Sequence, residues 1–333
     1  MKRRWGVRIA LSALGAMSIV FGMSSTASAQ ITLGQLATAS TPTFDCEYGQ
    51  SYDELQTSVA AGNSYAAPTA GVITSWSTQV GANPGQTLGM KVYRATGPGT
   101  FLVVGQDGPR ALASGLNTFP VNVPVQAGDI LGIFLPSSVH SDCLFESGLA
   151  GDVISWQEGN APVGSSFAIQ ETYSGNRLNI SATLLPPPTI SAIAPAEGSI
   201  KGASVVITGS NFASVTGVSF GSAAATFVVN SEGQITATAP PSKTLSKVPV
   251  TVTTAAGTAT SAQTFAYKGC KVPQLKGKKL KAAKKKLSKA GCKLGKVKKL
   301  DGVTSKTGKV TKQSPKAGKI LAPGSKVKVT LDD

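Results

Sequence analysis

The 333-residue sequence holds one histidine, four cysteines with no Cys-x-x-Cys among them, and aromatic residues at only 6%. His140 sits in Ser138-Val139-His140-Ser141-Asp142-Cys143, and no Gly-x-Ser-x-Gly elbow is expected to supply a nucleophile, so a hydrolase triad lacks its other members. A metal site built from His140, Asp142 and Glu146 would rest on one imidazole, and Cys143 is better explained as half of a disulfide. The wide cysteine spacing argues against a zinc ribbon or a thiol redox motif. Residues 268–333 contain neither arginine nor an aromatic side chain. The stacking and forked hydrogen bonds that read nucleic-acid bases are therefore missing, and no sequence-specific nucleic-acid partner is expected. Beyond residue 29 no apolar run approaches the ~20 residues that span a bilayer, and no cofactor motif is read. Carboxylates are plentiful in the first half, among them Asp107, Asp129, Asp142, Glu146, Asp152, Glu158 and Glu171. Glycoside cleavage needs two of them facing each other across a cleft, which chain spacing does not supply, and Asp107-Gly108 and Gly128-Asp129 read as turn pairs.

What is present begins with a leader. Lys2, Arg3, Arg4 and Arg8 precede an apolar run from Ile9 to Met23, and Ala27-Ser28-Ala29 offers a small-residue cleavage site before Gln30. Residues 1–29 are expected to be a secretory signal peptide. No cysteine follows closely enough for a lipid anchor. Leu185-Pro186-Pro187-Pro188-Thr189 is internal and lacks the glycine of a sortase signal. The expected mature protein is extracellular, either released or held non-covalently at the wall. In oxidising surroundings four cysteines allow three pairings, and their positions favour Cys46 with Cys143 and Cys270 with Cys292.

Charge divides the chain further. Residues 30–185 carry 4 Lys plus Arg against 11 Asp plus Glu, residues 186–267 carry 3 against 2, and residues 268–333 carry 21 against 3. The net values are −7, +1 and +18, and with +4 in the leader they give the +16 of the whole. The basicity belongs to one segment, which attracts polyanions if it does more than stay soluble. The acidic first segment could also dock on the basic last one within the same molecule.

Residues 30–185 show short β-branched runs such as Gly71-Val72-Ile73-Thr74-Ser75-Trp76 and Ile130-Leu131-Gly132-Ile133-Phe134-Leu135, broken by Gly, Pro and Asn. This pattern predicts an antiparallel β-sandwich or jelly-roll-like head, with Val123 to Gly132 forming a turn into a central strand. Trp76 and Trp156 are its tryptophans; flat rings stack on sugars, so both are candidate glycan contacts, although core packing is the commoner fate of tryptophans in strands. The segment resembles amino-terminal regions of other secreted actinobacterial proteins, a resemblance that implies no activity.

The triple proline at 186–188 reads as a stiff, extended boundary. After it come Thr189-Ile190-Ser191-Ala192-Ile193-Ala194-Pro195, Val205-Val206-Ile207-Thr208-Gly209-Ser210-Asn211-Phe212, Val218-Ser219-Phe220-Gly221, Ile235 to Pro240, Val248 to Thr254 and Phe265-Ala266-Tyr267. Residues 186–267 resemble an IPT/TIG domain, which implies an immunoglobulin-like sandwich acting as spacer or docking surface.

In the last segment, 268–333, Leu280, Ala283, Leu287 and Ala290 fall three, four and three apart, which predicts a helix over 278–290 with Lys278, Lys281, Lys285 and Lys289 on its opposite face. Gly291 marks its end. Val327, Val329 and Leu331 alternating with Lys326, Lys328 and Thr330 predict a half-buried strand. With Val272-Pro273 and Lys309-Val310-Thr311-Lys312-Gln313-Ser314-Pro315 this order resembles a PASTA domain, a small α+β unit that implies affinity for peptidoglycan fragments in some members. The four helix lysines are the candidate wall contacts, chosen from helix geometry. The expected whole is mainly β: a secreted, non-enzymatic envelope-binding protein whose PASTA foot holds peptidoglycan or an anionic wall polymer. The alternative is a carbohydrate-binding protein whose head does the work.

Overall fold

The computed structural model describes residues 30–38, 43–46, 49–83 and 85–332. The expected leader, 1–29, lies outside the described residues. The fold is mainly β, with a single helix among the described residues. Its apolar residues collect into separate cores along the chain, which is how the alternating runs of the sequence become independent layers.

In the head, seven strands form one sheet in the order Ser166–Ala168, Thr100–Ala111, Thr87–Gly97, Ile130–Leu135, Tyr52–Ser58, Val153–Glu158, Glu171–Ser174. Ile130–Leu135 is its central strand, as the sequence pattern predicts. The turn before it is closed by the Asp129 carboxylate, which accepts from the Gln126 N–H at 2.7 Å, while Gly128 supplies a φ of +89°. A second sheet, ordered Ile31–Gln35, Ile180–Leu185, Gly71–Val80, Gly115–Val125, packs over it. Leu88, Met90 and Val92 face inward against Ile73, Trp76 and Leu184. Because side chains alternate along a strand, Lys91 and Tyr93 point to the other face. There a smaller core of Leu55, Tyr93, Phe101 and Val103 is covered by Ala161, Phe167 and Ile169. Cys46 and Cys143 are joined, tying the strand Thr43–Asp45 to Asp142–Glu146.

The second segment is a pair of facing sheets with one smaller sheet, closed on Phe212, Phe220, Phe265 and Tyr267. The Phe220 and Phe265 rings meet edge to face at 5.1 Å, and the Tyr267 hydroxyl donates to the Pro240 carbonyl at 2.9 Å. Gly209 lies where its strand crosses Thr189; a Cβ there would collide with the Thr189 carbonyl oxygen and the Phe212 ring.

The last segment has a three-stranded sheet, with Lys326–Asp332 between Lys293–Lys299 (parallel to it) and Lys309–Ser314 (antiparallel). The helix spans Leu280–Lys289, a little shorter than the spacing predicts, because Lys279 is still extended and bridges Lys309. It ends where expected, Gly291 taking φ +71°. Ala283 and Leu287 are buried against Val327, Val329 and Leu331. The Gln313 amide fastens the entry segment, accepting from the Leu275 N–H at 2.8 Å and donating to the Pro273 carbonyl at 3.0 Å. Cys270 and Cys292 are joined across the helix.

Both junctions are closed. Pro186 and Pro188 are buried, and the Asn211 side-chain amide donates to the Pro187 carbonyl at 2.9 Å. At the other junction a Cβ on Gly269 would meet Leu245 and Ile200 on one side and the Leu321 carbonyl on the other, while Ile320 packs against the second core.

Candidate anion-binding surface

Sheet alternation puts Val327, Val329 and Leu331 against the helix and leaves Lys328 and Thr330 on the outer face. In register, Thr330 lies between Lys298 on one neighbouring strand and Lys312 on the other, and Lys328 lies beside Ser314. With Lys296 these residues line an open groove of about 670 Å³. Neighbouring strands are ~4.8 Å apart, so the roots of Lys298 and Lys312 are ~10 Å apart, close enough for both ammonium groups to lean over the Thr330 hydroxyl. The arrangement can hold an anion with several oxygens by two charges and a neutral donor.

The four lysines chosen from helix geometry, Lys278, Lys281, Lys285 and Lys289, are all exposed. Lys281, Lys285 and Lys289 lie on the helix, across the sheet from the groove, whereas Lys278 falls in the segment before the helix and its carbonyl accepts from the Val310 N–H, which corrects the expectation that all four share one helix face. The groove lysines could have been found from the same alternation that predicts the last strand, but the pairing of Lys298 and Lys312 around Thr330 depends on register, which the sequence does not spell.

In the head, Trp76 is not available to a ligand. It is fully buried, its indole N–H donates to Asp107 Oδ2 at 2.8 Å, and its ring packs on Phe119 with centroids 4.7 Å apart. Its place in the inward-facing half of the strand Gly71–Val80 corrects the expectation of stacking at this position. Trp156 is half-buried near the sheet edge, edge to face with Tyr52 at 5.2 Å and opposite Glu54 in register. Glu54 is only 2% exposed. Burial pushes its carboxyl up to about 7, against the Tyr173 hydroxyl, which donates to it at 3.2 Å and favours the ion.

The other chemical candidates resolve into structural contacts. Asp107 and Asp152 are pushed up by burial, but Arg110 and Trp76 for the first, and Arg177 for the second, outweigh it and hold both below the usual carboxylate range. Every basic residue of the head is engaged internally: Lys91 with Asp53, Arg94 with Asp129, Arg110 with Asp107 and Arg177 with Asp152. His140 Nδ1 lies 2.7 Å from Asp45 Oδ2 at the surface, and Asp142 is buried, accepting from the Gln86 amide. Among the described residues no group of three or more His, Cys, Asp and Glu could hold a metal. Contrary to the expectation that no such motif occurs, Gly217-Val218-Ser219-Phe220-Gly221 spells Gly-x-Ser-x-Gly, but Ser219 lies in the strand Val215–Phe220 and shares a hydrogen bond with Thr251, not at the strand-to-helix turn that a nucleophile elbow requires.

The IPT/TIG domain model matches residues 188–267 and the PASTA domain model matches residues 271–333. The chain therefore carries these two domains, both non-catalytic binding units, behind a β-rich head. No curated protein matches it. Among solved structures it is similar to SGBP-B from a complex xyloglucan utilization locus in Bacteroides uniformis, at 16% identity over 61% of this chain, with a TM-score of 0.22. It is also similar to the gamma-CGTase from alkalophilic Bacillus clarkii, at 15% identity over 71% of this chain, with a TM-score of 0.21. The chain spans 56% and 25% of those two proteins, and likeness at this level bears on no functional argument. No helix among the described residues is long and apolar enough to cross a membrane.

Proposed function

We propose that this is an exported, non-enzymatic envelope-binding protein. Its PASTA domain attaches to peptidoglycan or to an anionic wall polymer, the TIG domain acts as spacer, and the head is held away from the attachment. The observation that carries this reading is a PASTA domain with lysines on both its helix face and its sheet face and a net charge of +18 over residues 268–333. Two joined cysteine pairs and the leader pattern support an extracellular setting. Lys278, just before the helix, and Lys281, Lys285 and Lys289 on it are proposed as contacts alongside those of the groove. Co-sedimentation of the mature chain with purified peptidoglycan, bearing or stripped of its anionic polymers, tests the reading across a salt series. Binding that weakens with salt and with stripping is expected; absence of binding to either preparation removes the proposal.

A second reading rests on Trp156. With half-buried Tyr52 and Tyr173 around Glu54 it offers ring edges beside a carboxyl, the chemistry of sugar contact. A glycan screen of the mature chain and of its Trp156→Ala variant checks this: glycan binding lost in the variant supports it.

A further inference from the structure

We infer that the outer face of the PASTA sheet is a seat for a linear polymer of phosphodiester groups, and that the helix face is not; this rests on the envelope-binding reading above. Three features of the face lead to it.

The first is shape. Lys281, Lys285 and Lys289 stand in a single row, one turn apart, along the outer side of the helix, whereas Lys296, Lys298, Lys312 and Lys328 border a concave groove. Charges around a concavity reinforce one another at one place, and those strung along a row do not. A chain lying along the strand Lys326–Asp332 would meet the Thr330 position, flanked by Lys298 and Lys312, and then the Lys328 position, flanked by Ser314. Side chains on one face of a strand recur every ~6.6 Å, so successive anions find successive seats.

The second is donor type. A planar carboxylate is best held by the forked guanidinium of arginine, and residues 268–333 contain none. Ammonium groups combined with a hydroxyl suit a tetrahedral group whose oxygens point in different directions. Thr330 and Ser314 supply that hydroxyl in the rows of the lysines.

The third is unrelieved repulsion. Lys293 lies directly opposite Lys326 in register, and like charges in that position destabilise a sheet. A surface built for solubility mixes signs. Here the acidic groups of the described domain are Asp301 and Asp332 alone. A bound polyanion would convert this repulsion into attraction.

The test uses the mature chain and three variants: a sheet variant, Lys298→Gln with Lys312→Gln and Lys328→Gln; a helix variant, Lys278→Gln with Lys281→Gln, Lys285→Gln and Lys289→Gln; and a hydroxyl variant, Thr330→Val with Ser314→Ala. The probes are inorganic polyphosphate, polyglutamate of matched charge, and peptidoglycan with and without its phosphate polymers. The sheet variant is expected to lose at least ~10-fold in polyphosphate affinity, with a salt slope smaller by ~2, the helix variant to stay within ~2-fold, and the hydroxyl variant to lose ~3-fold at unchanged charge. Polyglutamate should bind more weakly than polyphosphate. Equal losses in the sheet and helix variants, or a loss in the helix variant alone, overturn the inference while leaving envelope binding intact. An unaffected hydroxyl variant or equal binding of polyglutamate overturns the phosphodiester seat. Failure of the unmodified chain to bind any probe removes both.

Discussion

The Tyr173 hydroxyl reaches across the strand Val153–Glu158 to the carboxyl of Glu54, 3.2 Å away, in a setting where that carboxyl is almost closed to water. Burial raises its pKa from 4.5 to about 7. A carboxyl with a raised folded value binds its proton more tightly in the folded chain. Its stabilising contribution is full below pH 4.5 and is lost as pH climbs to about 7. The loss is on the order of 3 kcal/mol. Urea unfolding at pH 5 and pH 8 should show the head weaker at the higher pH, and Glu54→Gln should flatten the difference. An unchanged difference in that variant assigns the effect elsewhere.

Lys91 and Asp53 form a second buried unit. The ammonium also donates to the Asn160 side chain and the Ala161 carbonyl, both at 2.7 Å, and Asp53 accepts from the Ala161 N–H at 2.9 Å. Lys91→Met leaves Asp53 enclosed without its counter-charge and should cost ~3–5 kcal/mol, whereas adding Asp53→Leu should recover part of that loss. Denaturant midpoints of the single and double variants check the order; a double variant weaker than the single contradicts it.

The two disulfides close loops of different length, 97 and 22 residues apart. In the chain-entropy account they restrict the unfolded chain by about 5 and about 3 kcal/mol. Calorimetry of Cys46→Ser/Cys143→Ser and of Cys270→Ser/Cys292→Ser should show the first pair lowering head stability by more than the second lowers that of the PASTA domain. The smaller PASTA core makes the second loss the larger share of its domain's stability.

With every head cation engaged internally, Glu146, Glu158 and Glu171 remain exposed, and the head can approach the basic foot only as an anion. If head and foot attract each other within one molecule, small-angle scattering should give larger dimensions at high salt than at low salt. Identical dimensions at both dispose of the docking idea.

The periods of the sequence made the elements legible where one face is buried. The alternation Val327, Val329, Leu331 gave the last strand, and the spacing of Ala283 and Leu287 gave the helix, because burial enforces both. Trp76 shows the limit: its strand was readable, but its ring could be assigned to the core only once the covering sheet and Asp107 were in place. The Lys298–Thr330–Lys312 row was hidden for a related reason. Three strands within residues 293–332 meet there, and their alignment includes shifts at Leu294/Val297 and Val310/Lys312 that no local pattern signals.

The closed junctions at Pro186–Pro188 and Gly269 have a mechanical consequence. A chain with slack between its parts dissipates a tug within its linkers, but here Asn211 holds Pro187, and Ile320 packs against the neighbouring core. If the foot is attached as proposed, drag on the head would be delivered to it as torque about the attachment. Contacts spread over several strands resist such twisting better than a single ridge of contacts would, since they act at different distances from the pivot.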